Sequence, residues 1–327
     1  MSEEQLGRMI DLVDIHRHLS GSFRPETVWT LLKDEGIFKN VNHVFDNITY
    51  RNDVGMRSFY KFLSKFEVLN KIQWSKTALS NIVKSVVKDV RREGVHHAEL
   101  RFSIDKYLQY INSPEEIIRI IYNTVKVIAD HNGIVIKLLL CLKYESDRDH
   151  QLNIAKLINS DVANMIDGID CVGDEHMFSA KFYKPIYKEW CAAGKMLTAH
   201  AGELGHSAEN IKLAIEELGV KRIGHGITIV NNKDVMKLAK ERDICFEISL
   251  SSNWYTGVVE NMSKHPIRKM ADYGLNIALC TDDPATFGTT MNQEFSIARM
   301  CLGFTDAEIQ NFKQNALKYA IKPRSSF

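Results

Sequence analysis

The sequence lacks an excess of charge of one sign and any long apolar run. Its 42 Lys and Arg residues balance 41 Asp and Glu residues, so no net field attracts nucleic acid or an anionic membrane surface. No apolar run approaches the roughly 20 residues of a membrane-spanning helix. The opening residues, MSEEQLGRMIDLVDIH, are acidic where a signal peptide would be basic. These absences predict a cytoplasmic protein that binds neither nucleic acid nor membrane.

Paired cysteines are missing as well. The six cysteines are scattered singly with no Cys-x-x-Cys pair, and several lie inside apolar runs. This pattern predicts buried free thiols rather than disulfides or a thiolate metal site. The composition, 45% hydrophobic and 25% charged, is typical of a globular protein with a substantial core. Since no linker or low-complexity segment interrupts it, we expect one domain over residues 1–327.

Short apolar runs bounded by turn signals occur eight times. They span residues 12–16, 96–103, 134–142, 163–173, 195–202, 221–226, 244–252 and 275–284. Helical periodicity fills the intervals, as in residues 113–133, where Ser113 is a candidate N-cap and Gly133 a stop signal, and in residues 208–219. Strict alternation predicts parallel strands, and the count of eight predicts an α/β fold of the (β/α)8 barrel type. An open doubly wound sheet is the alternative.

The connection after the first strand is unusually long. It runs over residues 24–94, with helical patterns near 25–35, 55–71 and 73–93, whereas 39–53 resembles solvated surface. Such an insertion in a barrel is a natural lid. An apolar stripe at helical spacing within it serves either core packing or a cover over a site, and consists of Phe59, Phe62, Leu63 and Phe66.

Polar residues follow several of the predicted strands. They are His16 and His18 after the first strand, His200 and Glu203 after the fifth, His225 after the sixth, and Asp282 and Asp283 after the eighth. In a parallel barrel all of these lie at the C-terminal mouth, where the active sites of such barrels are built. Taken alone, the two aspartates before Pro284 favour a simple turn, whereas their place after the eighth strand favours the site. His206 is expected either at the mouth of the site or exposed.

This set of side chains suits a catalytic metal. Three histidines with Asp282 form a nitrogen and oxygen donor set typical of zinc, with a position left for water. One metal ion is favoured over two because the fourth strand ends in no lysine that could be carboxylated to bridge a pair. Zinc lowers the pKa of water to about 7, so hydrolysis is the expected reaction class. Glu203 is placed to transfer protons, and His225 to hold or deprotonate the attacking water.

Seven motifs in fixed order resemble the adenosine deaminase family from about Val13 to Ala320. They are HRHLSGS (16–22), HAELRFS (97–103), GDE (173–175), TAHAGE (198–203), RIGHG (222–226), SSNWYTG (251–257) and TDDP (281–284). The resemblance implies one zinc ion per subunit, held by His16, His18, His200 and Asp282. It also implies roles at the purine: Glu203 as proton donor to N1, His225 beside the attacking hydroxide, Asp283 at N7 and the Gly173 backbone at N3.

The implied reaction is hydrolytic deamination of adenosine and 2'-deoxyadenosine to inosine and ammonia. Ser20 departs from the family, which usually carries an acidic residue here, near the 5' end of the ribose. A shorter, neutral side chain keeps adenine or a 5'-substituted adenosine as an alternative substrate. A zinc hydrolase for esters or cyclic amides and an inactive barrel used for binding are further alternatives. The complete set of expected catalytic residues disfavours the inactive barrel. The expected partner is a small purine nucleoside, and no oligomeric state is predicted.

Overall fold

Eight parallel strands form a single ring in the computed structural model, which describes residues 12–33, 38–50, 55, 57–205 and 207–322. They are β1 (Leu12–His18), β2 (Val95–Phe102), β3 (Val135–Lys143), β4 (Gly168–Val172), β5 (Met196–Ala201), β6 (Arg222–His225), β7 (Cys245–Ile248) and β8 (Asn276–Leu279). Each strand pairs with the next along the chain. A parallel bridge between Arg17 and Asp282 joins β1 to the segment after β8. The predicted (β/α)8 barrel is confirmed, and the open sheet is wrong.

Helices follow the strands and cover the outside of the barrel. The α-helices are α1 (Pro25–Leu32), α2 (Val41–Ile48), α3 (Phe59–Ser64), α4 (Lys76–Arg92), α5 (Asp105–Leu108), α6 (Pro114–Asn132), α7 (Arg148–Ala155), α8 (Ala180–Ala192), α9 (Glu209–Leu213), α10 (Lys233–Glu241), α11 (Leu250–Tyr255), α12 (Ile267–Tyr273), α13 (Pro284–Phe287), α14 (Met291–Leu302) and α15 (Asp306–Tyr319). Short 3-10 segments lie at Ser20–Ser22, Lys65–Lys71, Lys156–Asn159, Ala163–Met165, Glu175–Met177, Ile227–Asn231 and Met262–Lys264, and a π turn at Ala214–Leu218.

Helix α6 shows how local sequence sets the boundaries of an element. The Ser113 side chain accepts a hydrogen bond from the Glu116 N–H at 3.1 Å, which satisfies one of the free donors of the first turn. At the other end Gly133 adopts φ 62°, a left-handed conformation that costs glycine little. Both predicted signals are therefore confirmed.

Three strand predictions are too long at one end, and one of them is the run 275–284, which leaves the sheet after Leu279. The run from residue 163 begins with a 3-10 turn, and β4 starts only at Gly168. The run to residue 252 leaves the sheet at Ile248 and continues as α11. The buried Glu294 carboxylate accepts the N–H groups of Leu250 and Ser251 at 2.8 and 3.2 Å. The first turn of this helix is therefore stabilised by an acceptor that is distant in sequence. The local sequence pattern does not reveal this acceptor.

The insertion after β1 contains one helix more than predicted. Residues 41–48 form α2 instead of solvated surface. Asn40 caps it by accepting a hydrogen bond from the His43 N–H at 3.0 Å, and Val44 and Ile48 are buried. The prediction of solvated surface is therefore wrong, although the segment carries apolar residues at helical spacing, namely Val41, Val44, Phe45 and Ile48.

The cysteines are free thiols, as predicted, and four of them are buried. Cys141, Cys171, Cys245 and Cys280 lie in the interior, whereas Cys191 and Cys301 are exposed. Over the described ranges, no helix has the length and apolar character needed to cross a bilayer. His206 lies outside the described residues. The assignment of the whole chain to one domain stays a prediction.

Candidate active site

The residues predicted for the site meet at the C-terminal mouth of the barrel, around a cavity of about 650 Å³. The walls include His18, Ser20, Phe59, Phe62, Leu63, Phe66, Gly173, His200, Glu203, His225, Asp282 and Asp283. His16 lies against them and is fully buried. The strand alternation therefore brings together side chains that are more than 260 residues apart in sequence.

Four of these side chains have the spacing of ligands around one metal ion. His16 Nε2 and His18 Nε2 each lie 3.3 Å from Asp282 Oδ1, and the Nε2 atoms of His18 and His200 are 3.2 Å apart. Donors bound tetrahedrally at about 2.0–2.1 Å stand about 3.3 Å from each other. Nε2 of His16 is buried and has no hydrogen-bond partner among the described residues. The donor set and its spacing therefore fit a zinc ion.

Two buried carboxylates orient the inner histidines. His16 Nδ1 lies 2.9 Å from Glu247 Oε2, and His200 Nδ1 lies 3.2 Å from Asp170 Oδ2. A carboxylate on Nδ1 keeps the proton there and turns the lone pair of Nε2 toward the metal position. Neither carboxylate was predicted from the sequence. The available signal was a charged residue inside an otherwise apolar strand, where a charge is costly unless it is paired.

Arg101 holds both carboxylates in place. Its guanidinium donates to Asp170 Oδ2 at 2.5 Å, to the Ile15 carbonyl at 2.7 Å, and to Glu247. Burial by itself raises the pKa of Asp170, but His200 and Arg101 outweigh it and hold that pKa below its usual value. The pKa of Glu247 is likewise lowered, against burial, by Arg101 and Arg222. Both carboxylates thus stay ionised and keep the histidines oriented.

Glu203 is a buried carboxyl group poised to carry a proton. Burial raises its pKa well above the usual value, and the charges of Asp282 and Glu175 add to this effect. Glu175 fixes the loop that carries it by accepting the Gly202 N–H at 2.7 Å and the Leu204 N–H. A carboxyl group that is protonated at neutral pH can donate a proton to a bound substrate. The sequence indicated Glu203, whereas the supporting role of Glu175 was missed.

A chain of hydrogen bonds fixes the tautomer of His225. The Ile267 N–H donates to His265 Nδ1 at 3.1 Å, and burial lowers the pKa of His265 to about 3, so this ring is neutral and carries its proton on Nε2. That proton is donated to Asn253 Oδ1 at 3.1 Å. The Asn253 amide therefore donates to His225 Nδ1 at 3.1 Å.

The consequence is that neutral His225 carries its proton on Nε2, facing the site. Burial lowers the pKa of His225 well below its usual value, so the neutral form dominates. Nε2 lies 3.8 Å from both Glu203 Oε2 and Asp282 Oδ2. Although His225 stands within 4.8 Å of three other donor groups, a protonated Nε2 has no lone pair for a metal. It can hold a water or hydroxide by donating a hydrogen bond.

The sequence of this chain is similar to those of a known enzyme family. A sequence model described as adenosine deaminase matches residues 12–326. The chain belongs to the adenosine deaminase family. It is similar to adenosine deaminase from Shewanella denitrificans, 28% identical over 317 residues that cover 96% of this chain and 95% of that protein. The adenosine deaminase of Edwardsiella ictaluri is also 28% identical, over 94% of this chain and 93% of its own. The chain is therefore an aminohydrolase.

Solved structures of other proteins share the barrel. An amidohydrolase from Burkholderia ambifaria with bound zinc has a TM-score of 0.86 at 24% identity, covering 99% of this chain and 90% of its own. Adenine deaminase from Arthrobacter aurescens has a TM-score of 0.84 at 21% identity over 96% and 95%. Arabidopsis ADAL complexed with IMP has a TM-score of 0.83 at 21% identity over 96% and 93%. At these identities the likeness shows the fold.

Three further predicted residues lie on the cavity wall, namely Asp283, Gly173 and Ser20. Asp283 precedes α13 but makes no side-chain cap hydrogen bond, so the simple turn does not account for its side chain. Its Oδ1 is buried with no hydrogen-bond partner in the described part of the chain. Gly173 adopts φ 98°, and a Cβ there would lie 2.2 Å from Glu145 Oε2. Ser20 is partly buried beside them.

Backbone strain coincides with two of these site residues. His225 and Asp282 have φ of 60° and 62°, and Asp243 is the third non-glycine residue with positive φ in the described ranges. Such conformations cost energy and persist where the surrounding structure enforces them. Here the turns after β6 and β8 aim the two side chains into the cavity.

The predicted lid of this adenosine deaminase family member closes one side of the cavity. Phe59 and Phe62 are buried and pack with Leu63 and Phe66 in one aromatic cluster. The Phe62 ring stacks on Phe287 with centroids 5.2 Å apart. All four predicted lid residues line the cavity. The same four side chains therefore both pack together and line the cavity.

Proposed function

We propose that this aminohydrolase removes the 6-amino group of adenosine and 2'-deoxyadenosine by zinc-dependent hydrolysis, giving the corresponding inosine and ammonia. The observation that carries the proposal is the convergence of a zinc-like donor set, the buried Glu203 carboxyl group and the His225 Nε2–H on one cavity. Membership of the adenosine deaminase family supports the same chemistry.

One zinc ion per subunit would be held by His16, His18, His200 and Asp282. When bound, zinc lowers the pKa of water to near neutrality and so supplies hydroxide for hydrolysis. Glu247 and Asp170 keep His16 and His200 oriented for this role.

Three side chains donate protons or hydrogen bonds to the substrate and the attacking oxygen, namely Glu203, His225 and Asp283. Glu203, whose pKa is raised by burial, donates a proton to purine N1, which makes C6 electrophilic. This proton stays on N1 of the product, the hydroxyl proton of the attacking oxygen leaves with the amino group as ammonia, and the proton that water gives up on forming hydroxide restores Glu203. His225 Nε2–H donates a hydrogen bond to the attacking oxygen and steadies it as charge shifts during attack. Burial and the neighbouring Asp282 charge raise the pKa of Asp283, and in its protonated form this carboxyl group donates a hydrogen bond to N7. The Gly173 backbone approaches N3, and the aromatic lid covers the ring.

A panel of substrates tests this function. We expect zinc-loaded protein to release ammonia from adenosine and 2'-deoxyadenosine, and Glu203→Gln to keep its zinc while losing turnover by about 10²- to 10⁴-fold. The measurement is ammonia release alongside metal content. Full turnover in Glu203→Gln would remove the carboxyl group from the mechanism, and no ammonia from any 6-aminopurine would overturn the function.

A second candidate is another 6-aminopurine, either adenine or a 5'-substituted adenosine. Ser20 favours it, because a neutral and short side chain at the ribose 5' end leaves space and removes the repulsion that a carboxylate would exert on an anion. Ranking the specificity constants for adenosine, adenine and 5'-methylthioadenosine distinguishes the candidates. A preference for adenosine retains the first.

A further inference from the structure

Glu294 is a buried carboxyl group that lies outside the active-site cavity and has no salt-bridge partner among the described residues. It stands in the first turn of α14, is shielded from solvent and is absent from the cavity wall. Burial raises its pKa to about 7, and the groups that partly offset burial are the neutral donors of Ser251, Thr289 and Leu250. Because a buried charge without a cation costs free energy, these hydrogen bonds must account for its position.

The hydrogen bonds of Glu294 reach two segments that border the cavity. Its Oε2 accepts the N–H groups of Leu250 and Ser251 at 2.8 and 3.2 Å, and its Oε1 accepts the Thr289 hydroxyl at 2.8 Å. The Ser251 hydroxyl also donates to Thr289 Oγ1 at 3.3 Å. One carboxylate therefore joins the first turn of α11 to the segment that follows α13.

The first of these segments carries the residue that fixes the His225 ring. Asn253 lies on α11 two residues after Ser251, and its side-chain amide donates to His225 Nδ1 at 3.1 Å. Asn253 Oδ1 accepts the His265 ring proton at 3.1 Å. Hydrogen bonds weaken steeply once distance and angle leave a narrow range. A displaced α11 would therefore release His225 from its single tautomer.

The acceptor oxygens, and not the volume of the side chain, are what this position provides. An apolar side chain would avoid the cost of a buried charge but would leave two N–H groups of α11 without an acceptor. The first turn of a helix has no acceptors of its own for such donors, and buried donors without a partner are rare. Ser249, the residue before α11, makes no side-chain cap hydrogen bond. Glu294 thus takes the place of a cap.

We propose that Glu294 is a positioning residue for the reaction, because its oxygens hold the first turn of α11 and so keep the Asn253 amide on His225 Nδ1. The inference rests on the proposed function, in which His225 Nε2–H holds the attacking oxygen. Glu294 touches neither the substrate nor the reacting atoms and acts only through Asn253. Loss of its oxygens therefore lowers kcat, whereas substrate binding and zinc content stay as in the wild type.

Three variants separate the position of the acceptor oxygens from charge and volume. Glu294→Gln keeps an oxygen in place without the charge, Glu294→Asp keeps the charge but withdraws it by one methylene, and Glu294→Met keeps the volume without acceptors. In Glu294→Met we expect kcat for adenosine to fall by about 10- to 100-fold with KM changed by less than about threefold, since misplacing a catalytic group can cost about 10²-fold. The Asp variant should be intermediate, and the Gln variant nearest to the wild type.

Nitrogen NMR of the His225 ring provides a readout that a merely structural role would not change. The wild type and Glu294→Gln should show a protonated Nε2 and an unprotonated Nδ1, whereas the Met and Asp variants should show a mixture of both tautomers. The control is Ile121→Ala, which removes a buried side chain of α6 away from the cavity. It should lower the melting temperature and leave both kcat and the His225 signal unchanged.

The outcomes separate this inference from the function on which it rests. Wild-type kcat and a single His225 tautomer in folded Glu294→Met would overturn the inference while the deaminase function stands. An Asp variant closer to the wild type than the Gln variant would overturn it too, because charge would then matter more than the position of the oxygens. If Glu294→Met does not fold, Glu294→Asp decides in the same way. Absence of ammonia from any 6-aminopurine would overturn the function itself, whereas the tautomer comparison still tests the link from Glu294 to His225.

Discussion

At the residue scale, the hydrogen-bond chain behind His225 explains which of its two nitrogens faces the substrate. The backbone N–H of Ile267 settles the state of His265, and each following bond then has one possible direction. Whether a histidine accepts or donates is thus decided about 40 residues away in sequence. In the proposed mechanism His225 would therefore hold the attacking oxygen as a hydrogen-bond donor, since this tautomer has no lone pair on Nε2 to take a proton from water.

Reversing the direction of these hydrogen bonds should impair catalysis while substrate binding is retained. Asn253→Asp has almost the same shape, but its carboxylate accepts a hydrogen bond from His225 Nδ1–H. The ring proton therefore lies on Nδ1, and Nε2 keeps a lone pair. We expect kcat to fall by about 10²-fold, the loss typical of one missing donor at a developing charge, with a small change in KM. Steady-state kinetics and nitrogen NMR of the His225 ring provide the measurement.

The matched control is Asn261→Asp, since Asn261 caps the 3-10 segment Met262–Lys264 on the surface. It introduces the same chemical change away from the cavity and should leave kcat as in the wild type. A ring signal showing protonated Nδ1 in the unmodified protein would refute the tautomer assignment directly.

The residues at the strand ends were the part of the site that the sequence predicted best. His16, His18, His200 and Asp282 were predicted together because barrel topology alone sends successive strand ends to one mouth. Asn253 and His265 could not be predicted in their roles, because they depend on the side-chain packing of α11 and of the segment before α12.

At the element scale, the lid helix α3 contacts the cavity through its apolar face only. Ser58 caps it by accepting the Lys61 N–H at 3.1 Å, and its apolar residues then face the cavity. The sequence predicted a helix here from spacing, although residues 65–71 continue as a 3-10 segment. The difference in winding depends on how this segment packs on α2 and the barrel, which local periodicity does not record.

Truncating the lid should weaken substrate binding more than the chemical step. Phe62→Ala removes a ring that lines the cavity and stacks on Phe287. We expect KM to rise by about tenfold, with kcat reduced much less, and unfolding free energy to fall by about 2–3 kcal/mol because the position is buried. Kinetics and chemical denaturation measure both effects.

Lys61→Ala on the same helix tests whether any change in α3 has this effect. Its side chain is absent from the cavity wall, so KM should match that of the wild type. A tenfold rise in KM for this variant as well would show that helix integrity, and not the aromatic face, governs binding.

At the scale of the whole molecule, a layer of buried charge ties the barrel strands together beneath the site. Arg222 on β6 pairs with Glu99 on β2 at 2.6 Å and with Glu247 on β7 at 2.7 Å. Glu247 also contacts His16, so the same layer supports the candidate metal ligands. The sequence showed charged residues in these strands, but their partners follow from closure of the ring, which pairs strands that are distant in sequence.

Removing one cation from this layer should destabilise the fold. Arg222→Met leaves the Glu99 carboxylate buried without its strongest partner, and breaking such a pair costs about 3–5 kcal/mol. Denaturant unfolding at pH 7 measures the loss. The double variant Arg222→Met, Glu99→Met should recover part of it, because no buried charge remains unpaired. Equal losses in the single and double variants would contradict this account of the layer.

The same pair predicts a dependence of stability on pH. The pKa of Glu99 is lowered from 4.5 to about 2 as the Arg222 charge and further hydrogen bonds outweigh burial. A carboxyl group with a lower pKa in the folded state stabilises the fold above its unfolded pKa. This contribution should therefore be complete above pH 4.5 and disappear as the pH falls toward 2. Unfolding free energy measured across that range should decrease in the wild type and vary less in the double variant.

The central claim is that four side chains from β1, β5 and the segment after β8 hold a zinc ion that this aminohydrolase needs. The most direct measurement is the rate of ammonia release from adenosine by protein stripped with a chelator and then titrated with zinc. Activity should be lost on stripping and should return in proportion to zinc, with a break at about one equivalent per chain. Undiminished turnover by metal-free protein would contradict the claim.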